Sequence, residues 1–286
     1  MARQPHIEIA ARTDRGRARE TNEDAYLVFR TGRFLERIHS SIATEDLTSH
    51  YDQGGYIMAV ADGMGGAAGG EVASREALVE AFRLILRSPK WLLSLDDPET
   101  RDSEIRSFFD RTKLYLAGVH AALLRRGAAD PSVEGMGTTL TVAYSVGLDL
   151  FVVHVGDSRV YLYRDGTVRN VTRDHTVAQT LADTGAISQD DVAMHPSRHV
   201  LTQVLGGHGG WLRGDTTHLS LRSGDAIVVC SDGLTAVAGN EDIARVLVSA
   251  PSSEVACDSL VRLTLERGAP DNVTVIVARY TDPDAT

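Results

Sequence analysis

The chain has 286 residues, 43% of them hydrophobic and 24% charged, with a formal net charge of −10 at neutral pH. That length and apolar share suffice for a large buried core, while the acidic balance argues against nucleic acid or an anionic membrane as partner and favours cations. Two cysteines, Cys230 and Cys257, are too few for a disulfide framework, and neither a signal-peptide stretch nor an apolar run of roughly 18 residues is present, so a soluble cytoplasmic protein is expected.

In chain order, Ile7 and Ile9 alternate with polar residues as in a short strand, and Asp24 to Phe29 and Gly55 to Asp62 read as two more. The stretch 31–54 between them is polar and too long for a tight hairpin; it reads as a surface excursion with a short helix around Phe34 to Ile38. Glu71 to Ser88 places Leu78, Ala81, Phe82 and Ile85 on one helical face, with Pro89 to close it. A second amphipathic helix carries Ile105, Phe108, Phe109, Leu116, Val119 and Leu123 behind Asp102 or Ser103 as N-cap. A meander of strands follows in GTTLTVAYSV, LFVVHVGDSRVYLYRDG and TVRNVT, with Asp165-Gly166 as a hairpin turn. From about residue 174 to 215 the apolar pattern weakens as in a flap. A strand ending at Cys230, two helices with Asn240 and Ser252 or Ser253 near their starts, and a last strand in NVTVIVARY complete the chain. Strands grouped around pairs of helices argue for an α+β fold, largely antiparallel, in one domain with its core at about 7–280.

Acids recur at the strand ends. AVADGMGG, VVHVGDS and IVVCSDG run apolar into Asp62, Asp157 and Asp232, while Glu23, Asp24 and Asp271 stand just before strands. Each alone reads as a turn former. In an antiparallel sheet, however, the start of one strand and the end of its neighbour share an edge, so these carboxylates can gather on one rim. Gathered carboxylates repel unless a cation lies between them, and an all-oxygen donor set suits Mg²⁺ or Mn²⁺ rather than zinc. Three or more such acids point to two ions, a standard device for activating water against phosphorus.

The ordered motifs TDRGRARETNED (13–24), ADGMGG (61–66), GMGTTL (135–140), GDSR (156–159), SDGL (231–234) and PDNVTVIV (270–277) resemble those of the PPM, or type 2C, metal-dependent Ser/Thr protein phosphatases, bacterial branch. The resemblance runs from Ile7 to Tyr280. It implies a β-sandwich of two antiparallel sheets flanked by pairs of helices, and hydrolysis of phosphoserine and phosphothreonine by a hydroxide bridging two metals, with no phosphoenzyme. It makes Asp62 the bridging ligand and Gly63 a ligand through its carbonyl. Asp232 and Asp271 complete the second metal, and Glu23 and Asp24 hold metal-bound waters. Asp157 binds a third, weaker Mn²⁺ or Mg²⁺, and Arg19 clamps the substrate phosphate. The implied partners are phosphorylated proteins, a Ser/Thr kinase and its substrates, met by a monomer.

One departure concerns the proton donor. Many eukaryotic relatives carry histidine after the Asp-Gly; here Met64 stands there, and a thioether donates no proton. Water, or His175, His195 or His199 of the flap, is then left to protonate the leaving group. The 31–54 excursion, longer than expected for the bacterial branch, reads as a plain surface insertion or a docking surface. Two other functions stay open at this level: a catalytically silent binding module of the same fold, disfavoured because no metal acid is lost, and a phosphatase of small metabolites.

Overall fold

The computed structural model describes residues 5–39, 50–88, 93–210 and 212–281. Its elements are β1 (His6–Asp14), β2 (Asp24–Glu36), β3 (His50–Met64), α1 (Gly66–Arg87), α2 (Pro98–Ala129), β4 (Gly137–Thr138), β5 (Leu140–Val146), β6 (Asp149–Val155), β7 (Arg159–Arg164), β8 (Thr167–Asn170), α3 (Val177–Asp183), β9 (Leu205–Gly206), β10 (Asp215–Ser220), β11 (Ala226–Cys230), α4 (Asp232–Thr235), α5 (Asn240–Ser249), α6 (Ser253–Glu266) and β12 (Val273–Thr281). One sheet has the order β1-β12-β11-β7-β8; the other runs β10-β6-β5-β3, with β2 on β3 and the short β4 and β9 at the end of β3. The expected α+β sandwich of antiparallel sheets is present.

Strand alternation explains the layering. In β12, Val273, Val275 and Val277 face α5 and α6, whereas Ile276, Ala278 and Tyr280 face the opposite sheet. In β3, Met58 and Val60 meet that same inter-sheet core, and Ala59 and Ala61 lie under α1 and α2. Strands covered on both faces read as continuous apolar runs, which is how β6 and β11 appear in sequence. Cys230 of β11 and Cys257 of α6 are buried in the core between this sheet and α5 and α6. Among the described residues, no helix is long and apolar enough to cross a membrane.

Four local expectations need correction. No helix forms at Phe34: β2 and β3 stay paired out to Glu36↔His50, so the two described flanks of the excursion, 31–36 and 50–54, form a two-stranded ribbon, and residues 40–49 lie outside the described residues. Cross-strand pairing here overrides the local pattern. Helix α1 begins at Gly66, five residues before the expected start at Glu71, because the Gly- and Ala-rich segment after β3 carries no amphipathic signal. Its deepest residues are Ala73, Ala77 and Leu78, while Phe82 sits at the rim, stacked on Phe29 at 4.8 Å; Pro89 lies outside the described residues. Helix α2 starts at Pro98, not near Ser103: Asp97 caps it by accepting from the Glu99 amide, and proline suits the first helical position.

Candidate functional site

The strand ends meet at one end of the sandwich. Asp24 and Asp62 are direct cross-strand partners in β2 and β3. Asp157 lies in the turn between β6 and β7, Asp232 is the first residue of α4 just after β11, and Asp271 stands two residues before β12. A cleft of about 460 Å³ opens there, lined by Arg19, Asp62, Gly63, Asp157, Asp232 and Asp271, among others. Asp24, opposite Asp62, and Glu23 are both half-buried, with Asp24 Oδ1 itself shut away from solvent.

Specific contacts place several of these residues. The Asp62 amide donates to Thr139 Oγ1 at 2.9 Å, and the Asp62 carbonyl accepts from Thr138 Oγ1 at 2.8 Å and from the Thr139 amide at 2.9 Å. Ser231 Oγ donates to Asp24 Oδ2 at 2.7 Å and accepts from the Thr274 amide at 2.9 Å, tying the two sheets together at this point. Gly63 is held by its amide on the Glu23 carbonyl at 3.2 Å, and a Cβ there would lie 2.0 Å from the Gly70 carbonyl oxygen, so only glycine fits. Arg19 reaches over the rim, its Nη2 2.6 Å from Asp271 Oδ2. The loop that carries Arg19 is pinned by Asn272: Oδ1 accepts from the Glu23 amide at 2.8 Å, and Nδ2 donates to the carbonyls of Arg15 and Thr21 at 2.7 and 2.9 Å.

This arrangement is electrostatically unfavourable as it stands. Burial pushes the Asp24 carboxyl up to about 7, with Asp232 and Asp271 adding to the rise. Burial likewise raises Asp157 to about 8, with Asp232 and Asp174 contributing, and carries Asp62 well above the usual carboxylate range, with Asp24, Asp232, Asp157 and Asp271 adding to it. Burial and the nearby Asp271 raise Asp232 too, and burial raises Glu23. Asp24 Oδ1 and Asp232 Oδ1 are buried with no hydrogen-bond partner. Groups in this condition call for a positive charge. An oxygen-only set including the Gly63 carbonyl suits Mg²⁺ or Mn²⁺. Among the described residues no three His, Cys, Asp or Glu side chains converge tightly enough to hold one ion by themselves, so ions here would also draw on that carbonyl and on water.

Sequence reasoning missed the hydroxyls and the amide that do the placing: Thr138, Thr139, Ser231 and Asn272. Their signal was polar residues buried inside otherwise apolar motifs. It also missed Arg198, a flap cation that lines the cleft with Leu201, Met64 and His199. Of the three flap histidines, His199 alone lines the cleft, its Nδ1 3.9 Å from Asp232 Oδ2. His195 accepts from the Ser197 amide in its own turn, and the His175 ring bonds the Gly156 amide instead.

Comparison with known proteins agrees with this geometry. The serine/threonine protein phosphatase PstP of Mycobacterium tuberculosis is 35% identical over 278 residues, 97% of this chain and 46% of that protein, so the chain spans about half the length of that relative. The serine/threonine phosphatase stp of Listeria innocua is 31% identical over 266 residues, covering 93% of each chain. The crystal structure of the PstP catalytic domain in complex with two manganese ions superposes with a TM-score of 0.71 at 31% identity, covering 96% of this chain and 99% of that one. The family described as Protein phosphatase 2C matches residues 35–266, and the chain belongs to it.

Proposed function

We propose that this chain is a divalent-metal-dependent phosphatase that releases phosphate from phosphoserine and phosphothreonine in proteins. One observation carries the reading: buried carboxylates raise one another's proton affinity, two of their oxygens lack partners, and they adjoin a cleft whose rim bears Arg19. That is a site built for cations and, above them, an anion. Relatives named serine/threonine phosphatases, one seen with two manganese ions, support it.

In this reading Asp62, the Gly63 carbonyl, Asp232 and Asp271 hold two ions, Glu23 and Asp24 order water around them, and Asp157 serves a third, weaker one. When bound, the ions acidify water beside phosphorus and offset the charge that develops on the phosphoryl oxygens. Arg19 orients the phosphate. A guanidinium has five N–H donors and the contact to Asp271 uses one, so the fork can bridge the site and the substrate. Met64 lines the cleft without being able to give a proton. The leaving alkoxide therefore takes its proton from solvent in the cleft or from His199. The substrates in this reading are proteins carrying phosphoserine or phosphothreonine, with a Ser/Thr kinase as the counterpart enzyme that installs the ester.

The test is phosphate release from phosphothreonine and phosphoserine peptides in Mn²⁺, with and without excess EDTA, beside small phosphate esters. Metal-dependent turnover with preference for peptides is expected. Undiminished release in EDTA would overturn the metal assignment, and a preference for small esters would make the chain a metabolite phosphatase.

A further inference from the structure

The turn that carries Asp157 is not self-supporting. Its first residue, Gly156, has φ 109°, and a Cβ there would meet Thr139 Cγ2 at 2.4 Å. Gly156 is gripped on both sides by one residue: its amide donates to His175 Nδ1 at 3.1 Å, and its carbonyl accepts from the His175 amide at 2.7 Å. His175 sits at the root of the flap, where its carbonyl accepts from the Thr202 amide at 2.8 Å. Flanking contacts lock the same junction. Arg159 forms a two-pronged pair with Asp174 at 2.9 and 2.7 Å, and the buried His154 donates through Nε2 to the Arg173 carbonyl at 3.1 Å while Thr141 Oγ1 donates to its Nδ1 at 2.8 Å.

We infer that His175 is a positioning residue for Asp157, setting the carboxylate through the backbone of Gly156 and thereby coupling the flap root to the weaker cation site. The inference rests on the reading of Asp157 as that site's ligand. Its chemistry follows from the donors. Gly156 offers an N–H, so Nδ1 must be an unprotonated acceptor, and in the neutral ring the proton sits on Nε2. That nitrogen is buried and lies 3.2 Å from Asp215 Oδ2, off the line a hydrogen bond needs, where the carboxylate favours the same tautomer. Partners one step removed from a metal commonly change affinity by 10–100-fold when lost.

The experiment compares His175→Asn, whose side-chain oxygen can take the place of Nδ1, with His175→Gln, whose amide reaches toward Asp215 and leaves Gly156 without an acceptor. Each full-length protein is titrated with Mn²⁺ by calorimetry, and Gly156 amide exchange is followed in metal-free protein; Asp157→Asn is the control. In His175→Gln the weaker Mn²⁺ event should shift to roughly 10–100-fold higher concentration, with the tighter binding intact and Gly156 exchange faster; His175→Asn should stay within about threefold of wild type. An unshifted weaker event in His175→Gln, alongside its loss in Asp157→Asn, overturns the inference and leaves the Asp157 reading standing. Equal loss in both His175 variants, with Gly156 exchange as in wild type, also overturns it. An unchanged titration in Asp157→Asn overturns the reading of Asp157 itself.

Discussion

Asn272→Ala probes how the Arg19 loop is held. The side chain is nearly buried, at 4% exposure, and makes three hydrogen bonds, one to the Glu23 amide and two to the carbonyls of Arg15 and Thr21. At about 1 kcal/mol net per bond, with some added cost for backbone groups left partly unsatisfied, the loss is about 3–5 kcal/mol. For a chain of this size that lowers Tm by roughly 6–15 °C. Freed from Asn272, residues 15–23 no longer hold Arg19 over the cleft, so KM for a phosphothreonine peptide should rise more than kcat falls. Asn272→Asp separates the contributions: it can still accept from Glu23 but cannot donate to the two carbonyls, and it adds charge beside Asp271. Thermal melts followed by circular dichroism, paired with peptide kinetics, read both effects. A Tm within about 2 °C of wild type, with unchanged KM, would refute the pinning argument.

Asp62→Asn removes the central carboxylate, and phosphopeptide turnover should fall on the order of a thousandfold with the fold retained by circular dichroism; retention of more than about a tenth of wild-type rate would exclude a bridging role. Arg19→Ala should chiefly raise KM in steady-state assays on several phosphopeptides, and an unchanged KM would mark Arg19 as only the counter-ion of Asp271. Metal-free protein should lose stability as pH rises. Asp24 and Asp157 titrate near 7 and 8 in the fold, above their unfolded values near 4, so the folded chain keeps protons that the unfolded chain has released. Stability is thus full below about pH 4 for these groups and declines through pH 7–8, a trend that saturating Mn²⁺ should reverse and that melts in EDTA across pH 5–8.5 would detect. A flat or rising profile in EDTA would contradict the burial argument.

The acids were legible because strand ends announce themselves: at Asp62, Asp157 and Asp232 an apolar run stops at an aspartate beside glycine or serine, and Glu23, Asp24 and Asp271 stand just before apolar runs. Antiparallel pairing then makes shared edges a geometric consequence, as Asp24 opposite Asp62 illustrates. What the sequence concealed was long-range. Asn272 bonds residues about 250 positions away, and Ser231 reaches Asp24 207 positions away, contacts that no local pattern encodes. The helix misread at Phe34 failed for a related reason, since pairing with residues beyond position 50 held that segment extended. His175, read as a possible acid from its place in RDHT, faces away from the cleft chemistry because its Nδ1 is taken by a backbone amide.

The most direct test of the metal centre is anomalous diffraction from crystals of this chain soaked in Mn²⁺. Two strong peaks are expected between the Asp62, Asp232 and Asp271 carboxylates and the Gly63 carbonyl, with a weaker third beside Asp157 at high Mn²⁺. Absence of any peak within ligand distance of Asp62, about 2.0–2.6 Å, would contradict the central claim.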